Sequence, residues 1–151
     1  MNSYTLRPKA RGTVKLKSSN PSENPLVDPN FLGHPDDLRV SVEGVKLSVE
    51  IFSQPELKKY IRKIRFPDEN VKTQKDFEEY ARHYGRTSYH PTCTCKMGVD
   101  DMAVVDPQLR VHGIDNLRIC DSSIMPSLIG SNTNSPTVMI AEKAADMIRG
   151  K

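Results

Sequence analysis

Asn116-Leu117-Arg118-Ile119-Cys120-Asp121-Ser122-Ser123-Ile124-Met125-Pro126 and, five residues on, Asn132-Thr133-Asn134-Ser135-Pro136-Thr137-Val138-Met139-Ile140 are the stretch on which the fold turns. Leu117 and Ile119 read as a short apolar strand that ends in an acidic turn, Asp121-Ser122-Ser123. A polar loop of Asn, Ser and Gly follows. Pro136, after a run of residues able to cap, predicts the opening of a helix. From Val138 to Ile148 that helix is mostly apolar, with Ala141, Ala144 and Ala145 small enough for close packing. The expectation is a largely buried helix whose positive end carries Asn132, Thr133, Asn134 and Ser135. Free backbone N–H groups at such an end favour negative charge nearby.

Working outward, Asp106-Pro107-Gln108-Leu109-Arg110-Val111-His112-Gly113 reads as a turn, a short strand and another turn. Before it, Arg86 to Gly98 is polar, aromatic and small, with no helical period. Upstream again, Phe77, Tyr80, Ala81 and Tyr84 mark one side of a helix around Lys75 to Tyr84, stopped by Gly85. A shorter helix is expected over Glu56 to Ile64, with Lys58, Lys59, Arg62 and Lys63 as its solvated face. Leu38, Val42, Val45, Val49 and Phe52 recur at steps of four and three, predicting a helix opened by Pro35 and capped by Asp36. Thr13-Val14-Lys15-Leu16-Lys17 alternates as a half-buried strand does. The prolines from Pro21 to Pro29 hold the next segment extended.

The chain has 151 residues, a net charge of +3 and 36% hydrophobic residues. These values suit one ordinary domain, though the low apolar share argues for an incomplete core. The charge is mild and spread out, which gives no electrostatic case for nucleic acid. No apolar run approaches the ~20 residues of a membrane span. Met1-Asn2-Ser3-Tyr4 opens no signal peptide. Cys93, Cys95 and Cys120 are an odd set, and Cys93-Thr94-Cys95 beside His90 lacks the paired spacing of a structural zinc site, so no metal is expected.

Among residues able to do chemistry, His90 is the candidate general base. Pro91 stiffens the backbone behind it, and imidazole accepts a proton near neutral pH. His34, His83 and His112 read as structural or surface residues. Asn132 is the candidate partner, since a carboxamide can donate to an alkoxide without changing its own charge. The bland reading of Asn132 is a helix cap. Ser122 and Ser123 lie in no Gly-x-Ser-x-Gly elbow, which argues against a hydrolase. Asp121 at a strand end better suits hydrogen bonding to a ribose-like chain.

Four runs carry a family resemblance. They are Tyr89-His90-Pro91-Thr92-Cys93-Thr94-Cys95-Lys96-Met97-Gly98; Val104-Val105-Asp106-Pro107 with Leu109-Arg110-Val111; Leu117-Arg118-Ile119 with Asp121, Ser123 and Ile124-Met125-Pro126; and Asn132-Thr133-Asn134 with Pro136-Thr137. In this order and at these separations they resemble the C-terminal region of the glucose-methanol-choline (GMC) oxidoreductases, flavoproteins that oxidise alcohols. Arg7-Pro8-Lys9-Ala10-Arg11-Gly12 and Pro29-Asn30-Phe31-Leu32 extend the likeness over nearly the whole chain. The detailed wording resembles the insect branch of glucose dehydrogenase-like proteins.

The resemblance implies an α/β fold: residues 1–114 as an α+β substrate-domain portion of antiparallel strands and helices, and 115–151 as a strand–helix segment that returns to an FAD-binding domain. It implies FAD as cofactor and a small alcohol or sugar as substrate. His90 falls on the family's proton-accepting histidine and Asn132 on its second catalytic position. Asp121 and Ser122 fall where the family contacts the ribityl–pyrophosphate region, Thr133 and Asn134 where backbone groups approach the flavin's pyrimidine end. Cys93 stands where a small residue, often Gly, is usual, and Ser131 where Gly commonly precedes the Asn. The family's N-terminal Gly-x-Gly-x-x-Gly unit does not occur in these residues. The chain is therefore expected to be the C-terminal part of a longer protein, its missing partner being the FAD domain. Other readings are a truncated, non-catalytic module and a lyase on the same scaffold. Compartment is not read from this chain, although the resemblance allows an extracellular one.

Overall fold

A computed structural model describes residues 1–150. Their contacts divide them into two compact units, Met1–Ser88 and Tyr89–Lys151. This division records packing inside the chain. The expected division at 114/115 concerns membership in a larger protein and is a separate matter.

In the first unit, β1 (Thr13–Lys15) and β2 (Leu26–Asp28) pair antiparallel, with Val14 opposite Val27. The strand was expected to run to Lys17 and to be half buried. It stops at Lys15 and both of its faces are exposed, as is Leu16 beyond it. The proline-rich segment is extended only over Leu26–Asp28, whereas Pro21 to Glu23 form a turn closed by the Glu23 N–H on Asn20 O at 3.1 Å, because the fixed φ of proline suits a turn as well as a strand.

Helix α1 (Pro35–Ser53) and helix α3 (Gln74–Tyr84) pack on each other, burying Val42 and Ala81. The stripe Leu38, Val42, Val45, Val49 and Phe52 lies inward, whereas Val40 and Leu47 are exposed. The cap differs from expectation. His34 Nδ1, not Asp36, accepts the Asp36 N–H at 3.2 Å, and the Asp36 carboxylate instead pairs with Lys9. A deeper anchor is Asp37, which is buried and accepts N–H bonds from Lys9 and Ala10 at 2.8–3.0 Å. That carboxylate ties the N-terminal strap to the positive end of α1. Thr73 and Asp76 form a reciprocal capping box on α3. The short helix α2 covers only Pro55–Lys58, because Lys59 to Lys63 offer a single partly covered apolar residue, Ile61, to hold a further turn.

The second unit has little regular structure apart from α4 (Asn134–Arg149) and a one-turn 3-10 helix, Ser122–Ile124. Its strands shrink to isolated bridges: Met97 with Val105, Val105 with Val111, and Arg110 with Arg118. Even so it holds a real core of Val105, Leu109, Ile124 and Ala144, with Ile140 and Met147 of α4 packed against it. Helix α4 begins two residues before Pro136, which a proline inside the first turn permits because N–H groups there have no intrahelical acceptor. It is not largely buried. Ala144 faces the core, but Ala141 is exposed and Val138 and Met139 are 53% and 59% exposed. Among the described residues no helix is long and apolar enough to cross a membrane.

Candidate active site

His90 enters the second unit on a tightly turned loop. Tyr89 before it and Cys93 after it both adopt positive φ, 63° and 71°, and Pro91 stiffens the segment between them. Backbone bonds stitch the loop to the Asp121 turn. The Cys95 N–H donates to Ser123 O at 3.0 Å and the Met97 N–H to Ile124 O at 2.8 Å. Because Ile124 is in the core and its turn packs on α4, the histidine loop and the helix start are held by the same element.

These constraints bring His90, Asn132 and Thr133 together. His90 Nδ1 lies 2.7 Å from Thr133 Oγ1, and His90 Nε2 lies 3.4 Å from Asn132 Nδ2. The Asn132 amide is oriented by its other end, since Oδ1 accepts the Asn134 N–H at 3.0 Å. Asn132, one residue before the cap position Thr133, therefore accepts the first helical N–H and at the same time turns its NH2 toward the imidazole. His90 is half-buried, Asn132 is exposed and Thr133 is 8% exposed. The arrangement is an open mouth with a buried hydroxyl behind the ring.

The positive end of α4 is less free than its sequence implies. Asn132 takes the Asn134 N–H, Pro136 has none, and the Thr137 N–H bonds Thr133 O. Ser135, exposed in the first turn, keeps an N–H with no intrahelical acceptor. Asn134 is exposed beside it. Asp121 and Ser122 sit on a different turn. The Asp121 carboxylate accepts the Ser123 N–H at 2.7 Å and caps the 3-10 helix. Hydrogen bonds from the Ser123 side chain and backbone hold this carboxyl below the ordinary aspartate range. Asp121 itself is exposed. A shallow depression of about 250 Å³, lined by Asp106, Arg110 and residues 111–116, contains none of these groups.

Sequence reasoning assigned Thr133 through its backbone and missed its side chain. The only signal available was a hydroxyl residue next to the candidate Asn. The three cysteines are free thiols, with Cys93 Sγ 3.1 Å from Thr92 Oγ1.

Residues 8–141 match the GMC oxidoreductase C-terminal family, and the chain belongs to it. It is 44% identical over 143 residues to the alcohol dehydrogenase [acceptor] of Pseudomonas putida, covering 95% of this chain and 26% of that protein. It is 46% identical to human mitochondrial choline dehydrogenase over 142 residues, covering 93% and 24%. Among solved structures it resembles a formate oxidase of Aspergillus oryzae studied for FAD modification, with a TM-score of 0.87 and 30% identity over 96% of this chain and 26% of that one. It also resembles pyridoxine 4-oxidase from Mesorbium loti, with a TM-score of 0.86 and 27% identity over 97% and 28%. The chain thus spans about a quarter of the length of the curated relatives it matches.

Proposed function

We propose that this chain supplies the proton-accepting wall of an FAD-dependent oxidoreductase acting on a CH–OH group. The observation that carries the reading is the meeting of His90 Nε2 and Asn132 Nδ2 at 3.4 Å, beside the start of α4. A substrate hydroxyl seated against both nitrogens from the open side donates its proton to the His90 Nε2 lone pair. The Asn132 N–H donates to the same oxygen as negative charge develops on it, and needs no reorganisation because Asn134 already fixes the amide. Bound FAD would supply the hydride acceptor.

The donor set fits such a cofactor. The exposed Ser135 N–H, together with Thr133 and Asn134 at the helix start, offers hydrogen bonds and a positive dipole to an electron-rich ring edge. Asp121 and Ser122 are accessible enough to hold a polyol chain. Residues 115–151 would then be the segment that docks on the FAD-binding domain, and the exposed Val138, Met139 and Ile148 on α4 support that role. The substrate is a small alcohol or sugar, and on motif wording the branch is that of the insect glucose dehydrogenase-like proteins. The missing partner is the FAD domain.

The test uses an FAD-loaded protein that contains this chain. His90→Ala should slow flavin reduction by alcohol about 10²-fold or more, followed by bleaching of the flavin absorbance. Unchanged reduction removes His90 from the chemistry and the reading with it.

A further inference from the structure

The geometry points to Thr133 as a positioning residue: with the Asn132 NH2 facing Nε2, its side-chain hydroxyl takes the Nδ1–H of His90 and so holds the tautomer that presents a lone pair at Nε2. This rests on the function proposed above for its consequence, but not for its geometry.

Asn132 Oδ1 is committed to the Asn134 N–H, so the group facing the imidazole is an NH2, which can only donate. A proton on His90 Nε2 would set two donors against each other at 3.4 Å. The compatible neutral ring carries its proton on Nδ1 and a lone pair on Nε2. Nδ1–H then needs an acceptor, and Thr133 Oγ1 lies 2.7 Å away. Which nitrogen is protonated on a histidine is set by the hydrogen bond the other one makes.

The hydroxyl is well placed to exert that choice. Thr133 is 8% exposed, so bulk water does not readily replace it as partner to Nδ1. It is held from behind, because its own carbonyl accepts both the Thr137 N–H at 3.1 Å and the Thr137 hydroxyl at 2.7 Å. Thr133 therefore moves with the first turn of α4, and Asn132 is fixed to that same turn. One helix start orients both the ring and the carboxamide, although His90 lies 43 positions away in sequence. The role expected for Thr133, a backbone approach to the flavin, is a different one and leaves the side chain free for this task.

The measurement is the ¹⁵N spectrum of the chain labelled at histidine, with the His90 signals assigned by their loss in His90→Ala. In its neutral form the wild-type ring should show a protonated Nδ1 and an unprotonated Nε2. Thr133→Ser should preserve that pattern, and Thr133→Val should lose it. A wild-type ring protonated on Nε2, or an unchanged pattern in folded Thr133→Val, overturns the proposal. The wild-type result alone can refute it, so a variant that fails to fold does not protect it. In the FAD-loaded protein, Thr133→Val should reduce flavin reduction by about 10- to 100-fold, with Thr133→Ser restoring most of it. Failure of the functional reading looks different: His90→Ala would then leave reduction intact whatever tautomer the ring adopts.

Discussion

The two units reach order by opposite means. Met1–Ser88 has the regular elements, two packed helices and a hairpin, yet its buried apolar residues are only Val42 and Ala81. Tyr89–Lys151 is mostly turns and single bridges, yet it buries Val105, Leu109, Ile124, Met125 and Ala144. In the first unit a polar anchor, Asp37, ties loop to helix. In the second, side chains from three loops and α4 converge on one apolar centre. The site residues belong to the second kind of order, and the reason is chemical. Loops can turn a histidine, a carboxamide and a hydroxyl toward one point, which a single helix face cannot do.

The comparison breaks first at Ile124. It is 2% exposed and lies between the histidine loop and α4. Ile124→Ala should destabilise the second unit by about 2–5 kcal/mol, through lost burial and an unfilled cavity. Amide exchange at Cys95, Met97 and Ile119 would rise sharply in that variant. A loss below about 1 kcal/mol would mean that the hydrogen-bonded loops, and not the apolar centre, hold the site.

Asp37 tests the other side. Asp37→Ala strands the Lys9 and Ala10 N–H groups beside a helix start and should cost about 2–3 kcal/mol. Exchange at those two amides reports it directly. Retained protection there would show that water or another group replaces the carboxylate, and the contrast between polar and apolar anchoring would fade.

What was legible in the sequence follows the same divide. Helices α1 and α3 were readable because a 3.6-residue period and caps are local signals, and their apolar stripes face inward except at Tyr84, which is exposed. Locality also explains the errors. His34 took the cap because the helix begins at Pro35, which puts Asp36 inside the first turn, where its carboxylate engages Lys9, 27 positions away. Pro136 marked the first turn of α4 correctly but not its first residue. The exposure of Val138 and Met139 could not be read either, since an apolar sequence records what a surface is suited to meet and not what covers it within one chain. In the second unit the motifs singled out His90 and Asn132, but no periodicity relates residues 42 positions apart. The Thr133 hydroxyl stayed hidden for that reason, its partner being visible only once the loops are folded.

Cys93 offers the finest test, because a sequence oddity and a backbone fact meet there. A small residue, often Gly, was expected at this position, and the structure gives Cys93 a φ of 71°. A left-handed conformation costs a residue with a Cβ about 1–2 kcal/mol, while glycine brings an entropic penalty of about 0.5–1 kcal/mol. Relief outweighs entropy, so Cys93→Gly should stabilise the chain by about 0.5–1 kcal/mol, and Cys93→Ala, which keeps the Cβ, should not. Ser131, the other departure, does not adopt a positive φ, so Ser131→Gly gains no such relief and brings only the entropic cost. Thermal unfolding of the three variants separates these cases. Cys93→Gly falling below Cys93→Ala, neither of which keeps the thiol, would mean that the entropic cost of glycine outweighs the strain it relieves, and both falling well below the wild type would mean that the Thr92–Cys93 contact secures the loop bearing His90.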